Sequence, residues 1–99
     1  MFAFQYPVTG DYITVYFDMQ NYYFYYNEIE KLLDSDSNRI KSSSKRRLVR
    51  KFKTAKFLLL ADALLLLDCY TNTKPVKKFF KNSLLPVLRG YQKSYKKTL

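Results

Sequence analysis

The sequence predicts an α+β fold: a small antiparallel β-hairpin or meander at the N-terminus, then short helices and a C-terminal helix. Three observations carry that expectation. Residues 1–25 are crowded with Tyr, Phe, Val and Thr, the types that suit a pleated, half-buried surface. From Asn27 onward the apolar residues recur three and four positions apart, which is the helical period. The second half is rich in Leu, Ala and Lys, and Pro75 stands where a helix begins.

Residues 2–6 predict a first strand, with Pro7 and Gly10 marking the turn that follows. Tyr12-Ile13-Thr14-Val15-Tyr16-Phe17 is a β-branched and aromatic run of strand length. Asp18-Met19-Gln20-Asn21 has turn residues at both ends, and the aromatic run from Tyr22 to Tyr25 completes a hairpin. Asn27 then stands as an N-cap. Glu28 and Glu30 complement the positive end of a helix dipole, and Ile29, Leu32 and Leu33 share one face of a helix expected to reach Asp34.

Ser35-Asp36-Ser37-Asn38 and Ser42-Ser43-Ser44 read as polar punctuation around a helical turn at Ile40. From Lys45, the residues Leu48, Val49, Phe52 and Ala55 fit a helix that turns Arg46, Arg47, Arg50 and Lys53 outward, with a strand as the alternative. Residues 57–60 are a continuous apolar run, which periodicity cannot assign to a short buried strand or to a helix start. Residues 61–70 predict a helix, broken by Thr71-Asn72-Thr73.

Pro75 opens the next helix, with Val76, Phe79, Phe80, Ser83 and Leu84 inward and Lys74, Lys77, Lys78 and Lys81 on the other side. Pro86 is expected to kink or end it, because the ring removes a hydrogen bond and collides with the preceding turn. Gly90 is the expected stop. Residues 1–90 thus form one domain, followed by a basic tail at 91–99 that frays.

Ninety-nine residues suit a single domain with a thin margin of stability. A 47% apolar fraction, with 10 Tyr and 8 Phe, argues for a packed core and against a disordered basic tail. Cys69 is the sole cysteine, so neither an intrachain disulfide nor a zinc cluster is expected; a reducing intracellular setting, nucleus or cytoplasm, follows. Residues 1–20 lack the pattern of a signal peptide. The apolar run 57–67, with Asp62 inside it, is shorter than the about 20 residues of a membrane span and reads as core, so no membrane partner is expected. There is no His, no Gly-rich phosphate loop and no metal-spaced ligand set, so no enzyme, cofactor or metal site is expected. Asp62 reads as a helix cap or core carboxylate, and Cys69 as a small buried hydrophobe.

Charge is polarised along the chain. One base against six acids puts the first 38 residues at −5, residues 39–56 carry nine bases and no acid, and the remainder adds +6 to reach the overall +10. Arg39, Lys41, Lys45, Arg46, Arg47, Arg50, Lys51 and Lys53, with Lys74, Lys77, Lys78 and Lys81, are therefore the candidate nucleic-acid-binding residues. Such runs are ordinarily solvated faces, but nine bases without an acid point to a polyanion. Arg46, Arg47 and Arg50 suit phosphate or guanine best, since a guanidinium binds them in a bidentate manner. Tyr22, Tyr23, Tyr25 and Tyr26 are either core-filling rings or stacking platforms for unpaired bases, with Glu28 and Glu30 counting against stacking.

Residues 13–33, ITVYFDMQNYYFYYNEIEKLL, order a strand, a turn, an aromatic strand and a short helix, and residues 75–91 read PVKKFFKNSLLPVLRGY. Together they resemble the Bro-N domain, the N-terminal module of baculovirus BRO proteins and of phage antirepressor-like proteins. Tyr23-Phe24 stands for that family's Trp-Phe pair, and residues 28–33 partly match its D-V-A-x-x-L helix. Val76 and Phe79 stand for the Phe and Trp of F-x-x-W-x-x-x-x-V-L-P-x-I-R, whose ending Leu84-Leu85-Pro86-Val87-Leu88-Arg89 matches closely. Ala61-Asp62-Ala63-Leu64 falls where the family has S-G-L-Y, without its Gly.

The resemblance implies regulation of viral or mobile-element transcription or replication. DNA is the expected partner, with RNA next and a homodimer compatible. The rival expectation is a protein-interaction module, an antirepressor or inhibitor, docking its basic face on an acidic host protein. Ser42-Ser43-Ser44-Lys45-Arg46-Arg47 also resembles a nuclear-import signal, a string that a DNA-binding surface yields equally.

Overall fold

Aromatic and β-branched residues alternating along three early segments build most of a sheet. In the computed structural model, which describes residues 1–18, 20–33 and 39–98, strands β1 (Phe2–Gln5), β2 (Tyr12–Phe17), β3 (Tyr22–Tyr25) and β4 (Phe57–Leu59) form one antiparallel sheet in the order β1-β2-β3-β4. Helices follow, and the fold is α+β. Gly10, at φ 78°, adopts the left-handed backbone that closes the β1–β2 turn, where the Tyr6 N–H donates to Asp11 O at 2.8 Å. At the β2–β3 turn one Asp18 carboxylate oxygen accepts from the N–H groups of Gln20 (2.8 Å) and Asn21 (2.7 Å); Met19 of that turn lies outside the described residues.

Helix α1 (Tyr26–Leu33) starts one residue before the expected cap. The Tyr26 N–H still donates to Lys56 O at 3.1 Å, continuing the β3–β4 pairing into the first turn, so Asn27 lies inside the helix. Asp34 and the Ser35-Asp36-Ser37-Asn38 punctuation lie outside the described residues. Ile40 forms an antiparallel bridge with Tyr70 where a helical turn was expected. The Lys41 N–H donates to Cys69 O at 2.9 Å, the Arg39 N–H to Thr71 Oγ1 at 3.0 Å and the Thr71 N–H to Arg39 O at 2.8 Å. Backbone groups that need partners found them 30 residues away.

Helix α2 (Ser43–Lys53) begins two residues ahead of Lys45, because the Ser42 hydroxyl caps it by accepting from the Lys45 N–H at 3.3 Å. Val49 and Phe52 are its buried residues, while Ala55 follows its end. At 57–60 the strand reading holds for three residues before helix α3 (Leu60–Asp68) begins. Only Leu58 of β4 is buried; Phe57 and Leu59 are 42% and 41% exposed, so the expectation of a buried strand is corrected. Leu65 is exposed as well. Asp62 sits half-buried in the first turn of α3, where a carboxylate complements the dipole.

Asn72, with φ 57°, marks the break before helix α4 (Lys74–Phe79), which carries Pro75 in its first turn. A π-helical turn (Phe80–Leu84) leads into helix α5 (Leu85–Thr98). Pro86 does not end the helix. Its ring has no N–H and would collide with the carbonyl four residues back, at Asn82, and the widened turn before it relieves that conflict. The shifted register also leaves Ser83 exposed, contrary to its expected inward place.

Gly90 is not a stop either, and the expected tail is helical as far as Thr98. The reason is tertiary: the Tyr91 ring packs edge-on against Phe2 (4.9 Å between centroids) and Phe17 (5.8 Å), and the Tyr22 hydroxyl donates to Gln92 Oε1 at 2.6 Å. These contacts offset the about 1 kcal/mol that a glycine costs inside a helix.

The core lies between the inner sheet face and the helices. Ile13, Val15, Phe24 and Leu58 meet Ile29, Leu33, Leu66, Phe80 and Leu84, with Phe24 stacked on Phe80 at 5.7 Å. The smallest dimension of the molecule, 16 Å, accommodates two layers. Cys69 is fully buried, its thiol donating to Leu65 O at 3.3 Å, and desolvation pushes its pKa up.

Candidate nucleic-acid interface

An amphipathic helix capped by Ser42 turns its apolar side inward and leaves its bases outside. Helix α2 docks Val49 and Phe52 against α1 and α3, while Arg46, Arg47, Arg50, Lys51 and Lys53 are exposed and Lys45 is half-buried. Arg46, Arg50 and Lys53 follow one another at helical spacing, a charged stripe about 11 Å long. Arg50, Lys51 and Lys53 suit the negative end of the helix, but its first turn holds no acid and three bases crowd its N-terminal half. Positive charge near a helix N-terminus costs about 0.3–1 kcal/mol, so these bases oppose folding. Among the described residues no base of α2 enters an ion pair; the described pairs are Lys31 with Asp11 and Lys77 with Asp68.

The Ile40–Tyr70 bridge joins the two basic segments. It holds Lys41 against the loop that leads into α4, and Lys41, Lys74 and Lys77 line one groove of about 580 Å³ together with Tyr70, Asn72, Thr73 and Pro75. Among the described residues no acid lines that groove. Lys41 precedes the Ser42 cap by one residue, so the groove opens at the N-terminal end of α2. Arg39 is exposed and its backbone pairs with Thr71 at the same junction.

The four lysines of residues 74–81, one stripe in sequence, are divided in space. Lys74 and Lys77 reach the Lys41 groove, and Lys77 is also held by Asp68. Lys78 lies beside Tyr6, Pro7 and Val8 at the β1–β2 turn. Lys81 borders an apolar cleft with Leu64, Phe80, Leu85 and Asp68, and Lys77 lines that cleft as well as the groove.

The tyrosines divide by strand parity. Tyr26 is buried, its hydroxyl donating to Glu30, and desolvation followed by that carboxylate holds its pKa well above the ordinary phenol value. Tyr22 is half-buried on the inner side against Phe17. Tyr23 and Tyr25 face the opposite way, with Tyr12 and Tyr16 of β2 and Phe57 and Leu59 of β4. Glu28 is engaged at the margin of this face, accepting from the Thr14 N–H at 2.6 Å and hydroxyl at 2.9 Å. Thr14 pairs with Ala3 of β1 but lies just past the last β2–β3 pair, and the carboxylate stands in for a β3 partner on that side.

The sequence offered Tyr23 and Tyr25 as core rings or stacking platforms, but not the company of Tyr12, Tyr16, Phe57 and Leu59 on a face that no described element covers, nor Lys56 beside it. The available signal was the alternation of β2 and β3, which puts aromatic residues on both faces instead of polar residues on one. Among the described residues no helix is long and apolar enough to cross a membrane, and no group of three or more His, Cys, Asp or Glu residues stands ready for a metal ion. Comparison with known proteins found no matching family model, curated protein or solved structure.

Proposed function

We propose that this protein is an intracellular nucleic-acid-binding module that takes duplex DNA through its phosphates and, like the Bro-N domains it resembles, regulates transcription or replication of a viral or mobile element. The observation that carries the binding is the convergence of two basic segments, distant in sequence, on the groove of Lys41, Lys74 and Lys77 at the end of an acid-free basic helix. The bases of α2, without an ion pair among the described residues and in part at a cost to their own helix, are suited to an external polyanion. In this reading Arg46, Arg47 and Arg50 grip phosphates along α2, and the groove lysines extend the contact past its N-terminus. The module binds and does no chemistry. The regulatory role rests on the resemblance of residues 13–33 and 75–91.

The test is a fluorescence-anisotropy titration with duplex DNA at two salt concentrations. Contact with about six phosphates gives a log–log salt slope near −5, a roughly thousandfold loss of affinity between 50 and 200 mM salt. No binding at the lower salt overturns the reading. Capture of a protein partner that survives nuclease treatment would replace it with docking on an acidic protein.

A further inference from the structure

The sheet has a second face. Tyr12, Tyr16, Tyr23, Tyr25, Phe57 and Leu59 project from it, and no described element covers them; Tyr12, Phe57 and Leu59 are 58%, 42% and 41% exposed. We propose that this face is a stacking platform for the unpaired bases of a single-stranded nucleic acid, with Lys56 taking a backbone phosphate at its margin.

Chemistry selects the occupant. Five of the six side chains are aromatic, and every base offers a π-face to them whatever its sequence. The rings are held in place before any ligand arrives: Tyr16 meets Tyr25 edge-on at 5.4 Å and Phe57 at 5.8 Å, and Tyr25 lies against Phe57 at 4.7 Å. Their polar tips are fixed too, the Tyr16 and Tyr25 hydroxyls bonding each other at 3.0 Å and the Tyr23 hydroxyl donating to Asp18 at 2.8 Å. Such a surface offers flat rings and wet edges in place of the aliphatic knobs that a packed helix needs.

Charge makes the same choice. The Lys56 ammonium lies over the Tyr25 ring at 6.0 Å from its centroid and over that of Phe57 at 5.7 Å, so a base that takes its place on these rings has a flexible cation within reach of its phosphate. Lys56 also continues the basic run of Lys51 and Lys53 into β4. A second copy of the chain is the competing occupant, and the net charge of +10 on each copy opposes that pairing while drawing in a polyanion. Asp18 and Glu28 stand at opposite ends of the face, Asp18 held by the Tyr23 hydroxyl and Glu28 by Thr14, so the Lys56 ammonium is the charge on this face that suits a phosphate.

Tyrosine fluorescence tests this, because the chain has 10 Tyr and no Trp. Titration with a short oligothymidylate at low salt is expected to quench the emission saturably. Phe57→Ala should weaken that binding about tenfold, and Lys56→Gln should flatten its log–log salt slope by about 0.7. Tyr16→Phe should keep the affinity that Tyr16→Ala loses, with far-UV circular dichroism showing each variant folded. Phe57→Ala should leave duplex affinity unchanged within about twofold, so the platform and the basic groove stand or fall separately. Absence of quenching overturns the proposal, as does an equal loss of duplex and single-strand affinity in Phe57→Ala. A dimer in sedimentation that Phe57→Lys dissociates overturns it as well.

Discussion

The two faces of the sheet are made from alternate residues of the same strands, and they differ in chemistry more than in hydrophobicity. On the inner face Ile13, Val15, Phe24 and Leu58 are at most 2% exposed and meet the helices. On the outer face tyrosines and Phe57 meet one another, with hydroxyl groups and Lys56 among them. Apolar side chains alone do not make a core: a face becomes one when a second layer removes it from water. The residue types register the difference in the main, aliphatic and Phe at the buried centre of the inner face and four tyrosines outside, with Tyr22 inside and Phe57 and Leu59 outside as exceptions. Substitutions on the inner face should therefore be read in stability, and those on the outer face in binding.

The largest contrast is Phe24→Ala against Phe57→Ala. Phe24 is fully buried and stacked on Phe80, so its truncation should cost about 3–5 kcal/mol in urea denaturation. Phe57 lies on the same sheet but stays 42% exposed, and its truncation should cost about 1 kcal/mol or less. Equal losses would mean that the outer face is covered in solution.

A middle-sized effect is expected at Glu28, which supports the outer face by completing the hydrogen bonding of Thr14. Glu28→Ala strands that backbone N–H and should cost about 1–3 kcal/mol, whereas Glu28→Gln keeps an acceptor and should recover most of it. Amide hydrogen exchange at Thr14 gives a local readout of the same change.

The smallest effect is a dependence on acid. Bonds from the Gln20 N–H, the Tyr23 hydroxyl and the Asn21 N–H hold the Asp18 carboxyl below its ordinary value of 3.8. A depressed folded pKa contributes stability that is complete above the unfolded value and disappears as pH falls through the folded one. Melting temperature should therefore hold steady down to about pH 5 and fall below about pH 4. Asp18→Asn should shallow that fall without abolishing it, because Asp11 is lowered in the same sense, chiefly by its hydrogen bond with Thr9 and also by Lys31. An unchanged acid limb in Asp18→Asn would remove the turn as its source.

Local signals were legible where the cause was local. The alternation of residues 12–17, the Asp18 turn, the Leu48, Val49 and Phe52 spacing and Pro75 each announced their element. Where a distant partner decided, the local reading failed: Ile40 pairs with Tyr70, and Tyr26 enters its helix while bound to Lys56 O. The helix likewise outlasts Gly90 because Tyr91 and Gln92 are anchored on the sheet. The candidate site divides in the same way. The bases of α2 were visible as a charged helix face, but the meeting of Lys41 with Lys74 and Lys77 depends on that one bridge.

What the sequence determined by itself was therefore the fold class, most of the element types and the polarity of charge, because propensity, periodicity and composition act over a few residues. Tertiary structure alone decided which face of the sheet stayed open, where Pro86 was absorbed and which lysines came together. Those outcomes depend on contacts between residues far apart in the chain, where side-chain packing and the pairing of backbone hydrogen bonds outweigh local preference.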